Sequence, residues 1–198
     1  MKLYKFRPLE GTKHLCRIKN IIENGFYCCD FLEFNDMNEG VFIINDSNIH
    51  IDVSDKQKYK ICSFSGEDSL NSQLMWGHYA NTGRGIVIEV EIEDCPEIKQ
   101  VQYSDSKENL NTLEDILTRK TIEWSYENEF RYLSEKDITE IHVGKITKIL
   151  FGTPYKNLIN YNDIKQVHEK LRMYLKLQDN LKKICNENNI EFEDYKFI

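Results

Sequence analysis

The sequence predicts an α+β fold, and three patterns lead to that class. Residues 3–6 and 59–65 alternate apolar and polar side chains, as half-buried strands do. Residues 86–92 are rich in β-branched side chains, which prefer strands. From about residue 162 to 186, apolar side chains recur at helical spacing, and we expect this stripe, which includes Ile164, Val167, Leu171, Tyr174 and Leu181, to pack on the sheet. Because helices interrupt the strands irregularly, the pattern favours a mixed or antiparallel sheet with flanking helices and a long C-terminal helix.

Turn residues and helical spacing indicate the remaining elements. A helix is predicted to begin at Gly11, with Thr12 as a candidate cap, and to end at Asn24-Gly25. Along the strand at 86–92, Glu89 and Glu91 alternate with apolar neighbours and are expected to point outward. The other predicted elements, in chain order, are a strand at 26–29, helices at 70–80 and 109–120, strands at 130–133 and 146–151, and a terminal strand at 190–198.

Length and composition limit the class of protein. A chain of 198 residues with 40% hydrophobic and 30% charged residues is typical of one globular domain, residues 1–198. No run approaches the roughly 18 apolar residues of a membrane helix, and the charged N-terminus lacks a secretory signal, so we expect a cytoplasmic protein without a membrane segment. The net charge of −7 disfavours strong non-specific nucleic-acid binding, although a local basic groove stays open.

The six cysteines are scattered along the chain without a C-x-x-C pair. This spacing supports neither a zinc site nor a redox motif. In a reducing cytosol, such cysteines are expected to be small buried hydrophobic residues or free thiols. The sequence therefore predicts no metal.

Three polar features follow one another in a definite order along the predicted strands. Arg7 ends the first strand, Ser63-Phe64-Ser65 lies on a middle strand, and Glu127-Asn128-Glu129 leads directly into the strand at 130–133. This order and its flanking elements resemble the Arg–Ser–Glu arrangement of ADP-ribosyltransferases. The resemblance implies a split sheet that holds NAD and cleaves its nicotinamide–ribose bond.

The same resemblance implies a role for each residue. Glu129 would stabilise the oxocarbenium-like ribose, as carboxylates do in glycoside cleavage, and Glu127 would position or deprotonate the acceptor. Arg7 would contact a phosphate or ribose oxygen of NAD with its fork of donors. Ser63 would orient Glu129 or the ribose, while an aromatic residue faces the nicotinamide. The residues expected to contact NAD are Arg7, Ser63, Phe64, Ser65, Tyr79 and Asn35.

A second set of motifs extends over nearly the full chain. These motifs are Phe34-Asn35-Asp36-Met37-Asn38-Glu39, Cys62-Ser63-Phe64-Ser65, Met75-Trp76-Gly77-His78-Tyr79-Ala80, Gly85, Lys120 and Trp124-Ser125-Tyr126-Glu127-Asn128-Glu129-Phe130-Arg131. Together they resemble the bacterial and phage family known as domain of unknown function 2971. Met37 stands where that family commonly has proline, which affects the local turn. The resemblance supports a single domain over the whole chain.

Each candidate residue also has a structural interpretation. Ser63 and Ser65 fit the outward face of an alternating strand. Glu127 and Glu129 share a strand face by two-residue spacing, so a solvated ladder explains them equally well. With Glu129 exposed, we expect Glu129→Gln to change stability by no more than about 0.5 kcal/mol. Arg7 fits an exposed charge at the end of a strand.

Three classes of function therefore remain open. The first is an NAD-dependent ADP-ribosyltransferase or NAD glycohydrolase, acting as a toxin or in phage defence with an antitoxin or other partner protein. The second is a nuclease-like enzyme that uses Asp36, Glu39 and Mg²⁺, and the third is a non-catalytic interaction module. The ADP-ribose acceptor is open among protein, nucleic acid, small molecule and water. Asn35-Asp36 fits either a turn or the border of the NAD pocket.

Overall fold

Strands and helices alternate irregularly along the chain, of which the computed structural model describes residues 1–34, 53–105, 112–135, 137–154 and 169–196. The strands are β1 (Lys2–Pro8), β2 (Phe26–Tyr27), β3 (Lys60–Ser65), β4 (Gly85–Glu91), β5 (Ile98–Gln100), β6 (Gln102–Tyr103), β7 (Arg119–Lys120), β8 (Glu129–Ser134), β9 (Glu140–Ile141), β10 (Lys145–Phe151) and β11 (Glu191–Asp194). The α-helices are α1 (Gly11–Asn24), α2 (Val53–Lys56), α3 (Gln73–His78), α4 (Leu113–Leu117) and α5 (Glu169–Glu187), and 3₁₀ segments span Phe31–Glu33, Glu67–Asn71 and Ile122–Glu127.

Seven strands form one mixed sheet in the order β11-β10-β4-β1-β3-β8-β5. Its neighbours are antiparallel except for β10 and β11, which are parallel. Two small two-stranded sheets, β2-β9 and β6-β7, complete the strands. The prediction of an α+β fold with a mixed sheet and flanking helices is confirmed, and the described residues form a single compact domain.

The sheet is weakly joined between β1 and β3. Seven residue pairs link β1 to β4, whereas Tyr4 and Ser65 are the one registered pair between β1 and β3. Beyond this pair the two strands separate, and the ammonium group of Lys5 donates a hydrogen bond to the backbone carbonyl of Ser63. The sheet therefore opens along its own plane between two groups of strands.

Helices cover both faces of the sheet. On one face, α1 and α5 bury apolar side chains against Leu3, Ile88 and Phe64. On the other face, α3 and the preceding 3₁₀ segment pack against Phe6 and Val87. The long C-terminal helix was predicted to pack an apolar stripe on the sheet, and its described part does so. Buried residues of that stripe are Leu171, Tyr174, Leu177, Leu181 and Cys185, while Ile164 and Val167 lie outside the described residues.

Several local predictions differ from the structure. Glu10 precedes α1 as its cap residue, and Thr12 lies inside the helix. The helix predicted at 70–80 is divided into the 3₁₀ segment Glu67–Asn71 and α3. Glu91 is exposed as expected, but Glu89 is buried, and its carboxylate is held by Lys2 and Thr147. No helix in the described ranges is long and apolar enough to cross a membrane.

Candidate functional site

A cavity of about 390 Å³ lies where β1 and β3 separate. Its walls come from these two strands, from the start of β8, from α3 and from the residues around β2. The cavity brings together the predicted site residues that the structure describes, and Asn35 lies outside the described residues. The predicted residues that line it are Arg7, Ser63, Phe64, Ser65, Tyr79, Glu127 and Glu129.

Glu129 is the most tightly held of the predicted acidic residues. It is 4% exposed, so its predicted exposure is wrong: the buried side chains of Lys120 and Arg131 contact its carboxylate. Arg131 contacts both carboxylate oxygens, at 2.8 and 3.1 Å, and Lys120 Nζ lies 2.8 Å from Oε2. Burial acts to raise the pKa of Glu129, but Arg131 and Lys120 outweigh it and hold the pKa well below its usual range. Glu129 is therefore ionised.

Glu127 has a different environment only two residues away. It is also buried, at 4% exposure, which removes the solvated-ladder explanation for both glutamates. Its Oε2 accepts a hydrogen bond from Lys120 at 2.6 Å, and its Oε1 accepts one from the hydroxyl of Tyr79. Burial raises the pKa of Glu127, and the negative charge of Glu129 acts in the same direction. The pKa values of Glu127 and Glu129, which both contact Lys120, are therefore shifted in opposite directions.

The three residues of the Ser-x-Ser motif point to different sides of β3. Ser65 pairs with Glu129 and Ser63 with Arg131 across β3 and β8, so both serines share a face with the carboxylates. The hydroxyl of Ser63 is buried and has no hydrogen-bond partner among the residues the structure describes. Phe64 lies on the opposite face, where its ring packs edge-on against Phe26 at 5.0 Å. Ser63 therefore offers a free hydroxyl to a ligand.

Two cations approach the cavity from β1. Because Tyr4 pairs with Ser65, Lys5 and Arg7 lie on the opposite face, with Phe64. Lys5 Nζ is 5.5 Å from the centre of the Phe64 ring. Burial lowers the pKa of Lys5, and the charge of Arg7 lowers it further. Arg7 and Glu129 thus line the same cavity from opposite faces of the sheet, and the opening between β1 and β3 connects them.

The cations and hydrogen-bonding groups around the carboxylates were missing from the sequence-based site. Lys120 and Arg131 provide the cations at the carboxylates, Lys5 adds one on the opposite face, and the hydroxyl of Tyr103 accepts a hydrogen bond from the Glu129 amide at 2.7 Å. Arg131 follows Glu129 by two residues on one strand, a spacing that places both side chains on one face. That spacing could have identified Arg131. The position of Lys120 depends on the 3₁₀ segment Ile122–Glu127, which returns the chain towards it.

No group of three or more histidine, cysteine, aspartate or glutamate side chains within the described ranges is arranged to hold a metal ion. Asp36 and Glu39, the carboxylates of the nuclease-like alternative, lie outside those ranges. That alternative therefore stays a prediction.

Comparisons of the chain with protein-family models, with curated proteins and with solved structures give no match. The resemblances noted in the sequence therefore stay predictions. Any assignment of function depends on the geometry and charges of the site itself.

Proposed function

We propose that the cavity binds NAD and that the protein cleaves its nicotinamide–ribose bond, as an ADP-ribosyltransferase-like enzyme or an NAD glycohydrolase. The observation that carries the proposal is the pair Glu127 and Glu129, which share Lys120 inside one cavity while their pKa values move in opposite directions. Pairs of carboxylates whose surroundings separate their pKa values are typical of sites that combine a fixed anion with a proton-transferring group.

The chemistry divides between the two carboxylates. When the bond between ribose C1′ and the nicotinamide nitrogen breaks, its electron pair leaves with neutral nicotinamide and positive charge develops on the ribose. The ionised Glu129 stabilises that charge. The acceptor hydroxyl or water then forms a bond to C1′, and its proton passes to Glu127, whose raised pKa suits a general base.

The remaining lining residues support binding of the same ligand. The free hydroxyl of Ser63 lies on the carboxylate face and is available to a ribose hydroxyl. Lys5 and Arg7 supply positive charge from the other face for the diphosphate of NAD. Tyr79 orients Glu127 through its hydroxyl, while the Phe64 ring packs in the core and contributes to the wall.

One observation favours a non-catalytic module as a second candidate. Both oxygens of Glu129 already contact cations, so Arg131 and Lys120 offset part of the charge that would act on the ribose. One preorganised electrostatic group contributes about a hundred- to a thousand-fold in rate. Because of this offset, we expect the contribution of Glu129 to the rate to lie at the lower end of that range, about a hundredfold.

Nicotinamide release from NAD tests the proposal without added metal. Wild type should release nicotinamide, and Glu129→Gln should do so about a hundredfold more slowly at a temperature where the variant is folded. Glu127→Gln should impair transfer to an acceptor more than hydrolysis. Tyr79→Phe should also slow turnover, because it removes the hydroxyl that orients Glu127.

A matched control distinguishes this effect from loss of any tyrosine hydroxyl. Tyr195→Phe removes the hydroxyl that binds Asn71, outside the cavity, and should leave turnover unchanged. If folded wild type releases no nicotinamide, the interaction module becomes the better interpretation. If wild type is active and Glu129→Gln is equally fast, the assigned role of Glu129 is wrong.

A further inference from the structure

A second cavity, of about 670 Å³, lies beside the first between α1, the end of β1 and β2. The two cavities share Arg7, Tyr27 and Glu33 in their linings, so they adjoin at these residues. Lys13 and Arg17, one helical turn apart on α1, add two further cations to the second cavity. Its volume is within the range of small-molecule sites.

The lining of this cavity holds three cations and two carboxylates, Glu33 and Glu140. Throughout the described part of the chain, no carboxylate forms an ion pair with Arg7, Lys13 or Arg17. Burial lowers the pKa of Arg7, Cys62 and Cys29 beside it act to raise that pKa, and the charge of Arg17 acts to lower it. The three cations exceed the two carboxylates by one, so the lining carries a local positive charge in a chain of net charge −7.

The two carboxylates on the cavity wall accept hydrogen bonds from neutral groups. Glu33 Oε1 accepts a hydrogen bond from the hydroxyl of Tyr27 at 3.2 Å. Glu140 Oε1 accepts one from the side-chain amide of Asn20 at 2.8 Å. Neither carboxylate forms an ion pair with the cations, but both keep their negative charge, so an anionic ligand would meet three unpaired cations beside two carboxylates.

Tyr27 adds a flat apolar surface at the junction of the two cavities. The residue is 50% exposed, and its hydroxyl donates a hydrogen bond to Glu33. An exposed aromatic ring beside cations is the combination on which nucleobases stack while their phosphates are bound. Arginine forks also match phosphate oxygens in pairs.

We propose that the second cavity binds a nucleoside phosphate, with the phosphate on Arg7, Lys13 and Arg17 and the base against Tyr27. This site goes beyond the proposed cleavage of NAD, because it lies on the α1 face of the sheet and needs none of the chemistry of Glu129. The same ligand chemistry has three sources. They are the AMP half of an NAD molecule that extends from the first cavity, a nucleotide of a nucleic-acid acceptor, and a free nucleotide.

Titration with ADP, and with adenosine as its phosphate-free counterpart, tests the site by calorimetry at low salt. ADP should bind at least tenfold more tightly than adenosine, and Arg17→Gln should weaken ADP binding about tenfold. Lys19→Gln is the matched control, because Lys19 is exposed on the same helix, pairs with Glu23 at 3.5 Å and lies outside the cavity lining. It should bind ADP as wild type does.

Three results would overturn the inference: equal affinities for ADP and adenosine, equal losses in the two variants, or no ADP binding by folded wild type at millimolar concentration. Competition then identifies the source. If NAD displaces ADP and a 5′-phosphorylated single-stranded oligonucleotide does not, the natural ligand is the AMP half of NAD. If the oligonucleotide displaces ADP and NAD does not, the ligand is a nucleotide of a nucleic-acid acceptor. Displacement by neither leaves a free nucleotide as the ligand. A protein that binds ADP but releases no nicotinamide keeps this inference and loses the proposed function.

Discussion

Substitution of Glu129 by glutamine should lower the free energy of unfolding by about 3–5 kcal/mol, the usual cost of removing one partner from a buried ion pair. The size follows from the surroundings. Arg131 is 0% exposed and would keep the carbonyl of Leu117 as an acceptor but lose its carboxylate, whereas Lys120 would still contact Glu127. For a chain of this length, 1 kcal/mol corresponds to about 2–4 °C in Tm, so we expect a fall of roughly 6–20 °C. Urea and thermal unfolding measure it.

Glu91→Gln is the matched control, because Glu91 is exposed at the end of β4. This substitution should change the free energy of unfolding by about 0.5 kcal/mol or less. Equal losses in the two variants would refute the buried network as a stabilising unit. The pKa of Glu129 is lowered by folding, so its contribution is complete above its ordinary value of 4.5 and is lost as the pH falls towards the folded pKa. The difference between wild type and Glu129→Gln should therefore narrow below about pH 4.5.

Three further substitutions test the packing. Tyr174→Phe removes a hydroxyl that lies 2.8 Å from the carbonyl oxygens of Gly85 and Gly152, and urea unfolding should show a loss of about 0.5–1.5 kcal/mol. Leu171→Asp places a charge in the buried face of α5 and should abolish the cooperative melting transition, whereas Lys183→Asp on the exposed side should preserve it. Gly25→Ala should lower Tm, because Gly25 has φ 101° and an added Cβ would meet the Ile141 carbonyl; an unchanged Tm would show that the turn can rearrange.

Elements with a strong local pattern were predictable from the sequence, because the fold buries the faces that those patterns mark. The strand β4 and the apolar stripe of α5 are examples. Glu89 was not predictable in this way, since alternation cannot show that a strand is covered on both faces. The structure buries it where Lys2 Nζ, at 3.0 Å, and Thr147 Oγ1, at 2.8 Å, hold its carboxylate.

The candidate site was predictable in its strand residues and less so in its charges. Two-residue periodicity places Ser65 and Glu129 on faces that can meet, and the structure pairs them across β3 and β8. Lys120 reaches the carboxylates because the chain reverses through Ile122–Glu127 and Asn128, at φ 42°. No spacing rule marks that reversal, so the burial of the glutamates and their opposite pKa shifts could not be predicted.

The single residue pair between β1 and β3 has a mechanical consequence for the whole domain. The sheet consists of a four-stranded part, β11-β10-β4-β1, and a three-stranded part, β3-β8-β5. The cavity lies between these two parts, where β1 and β3 separate. The side chain of Lys5 connects the two parts through a hydrogen bond to Ser63 on β3, where backbone hydrogen bonds are missing. A ligand that forms hydrogen bonds to both strands would link β1 and β3 where their backbones do not pair. Ligand binding would then reduce the relative motion of the two parts of the sheet. Slower hydrogen exchange of the backbone amides along β1 and β3 would show this effect.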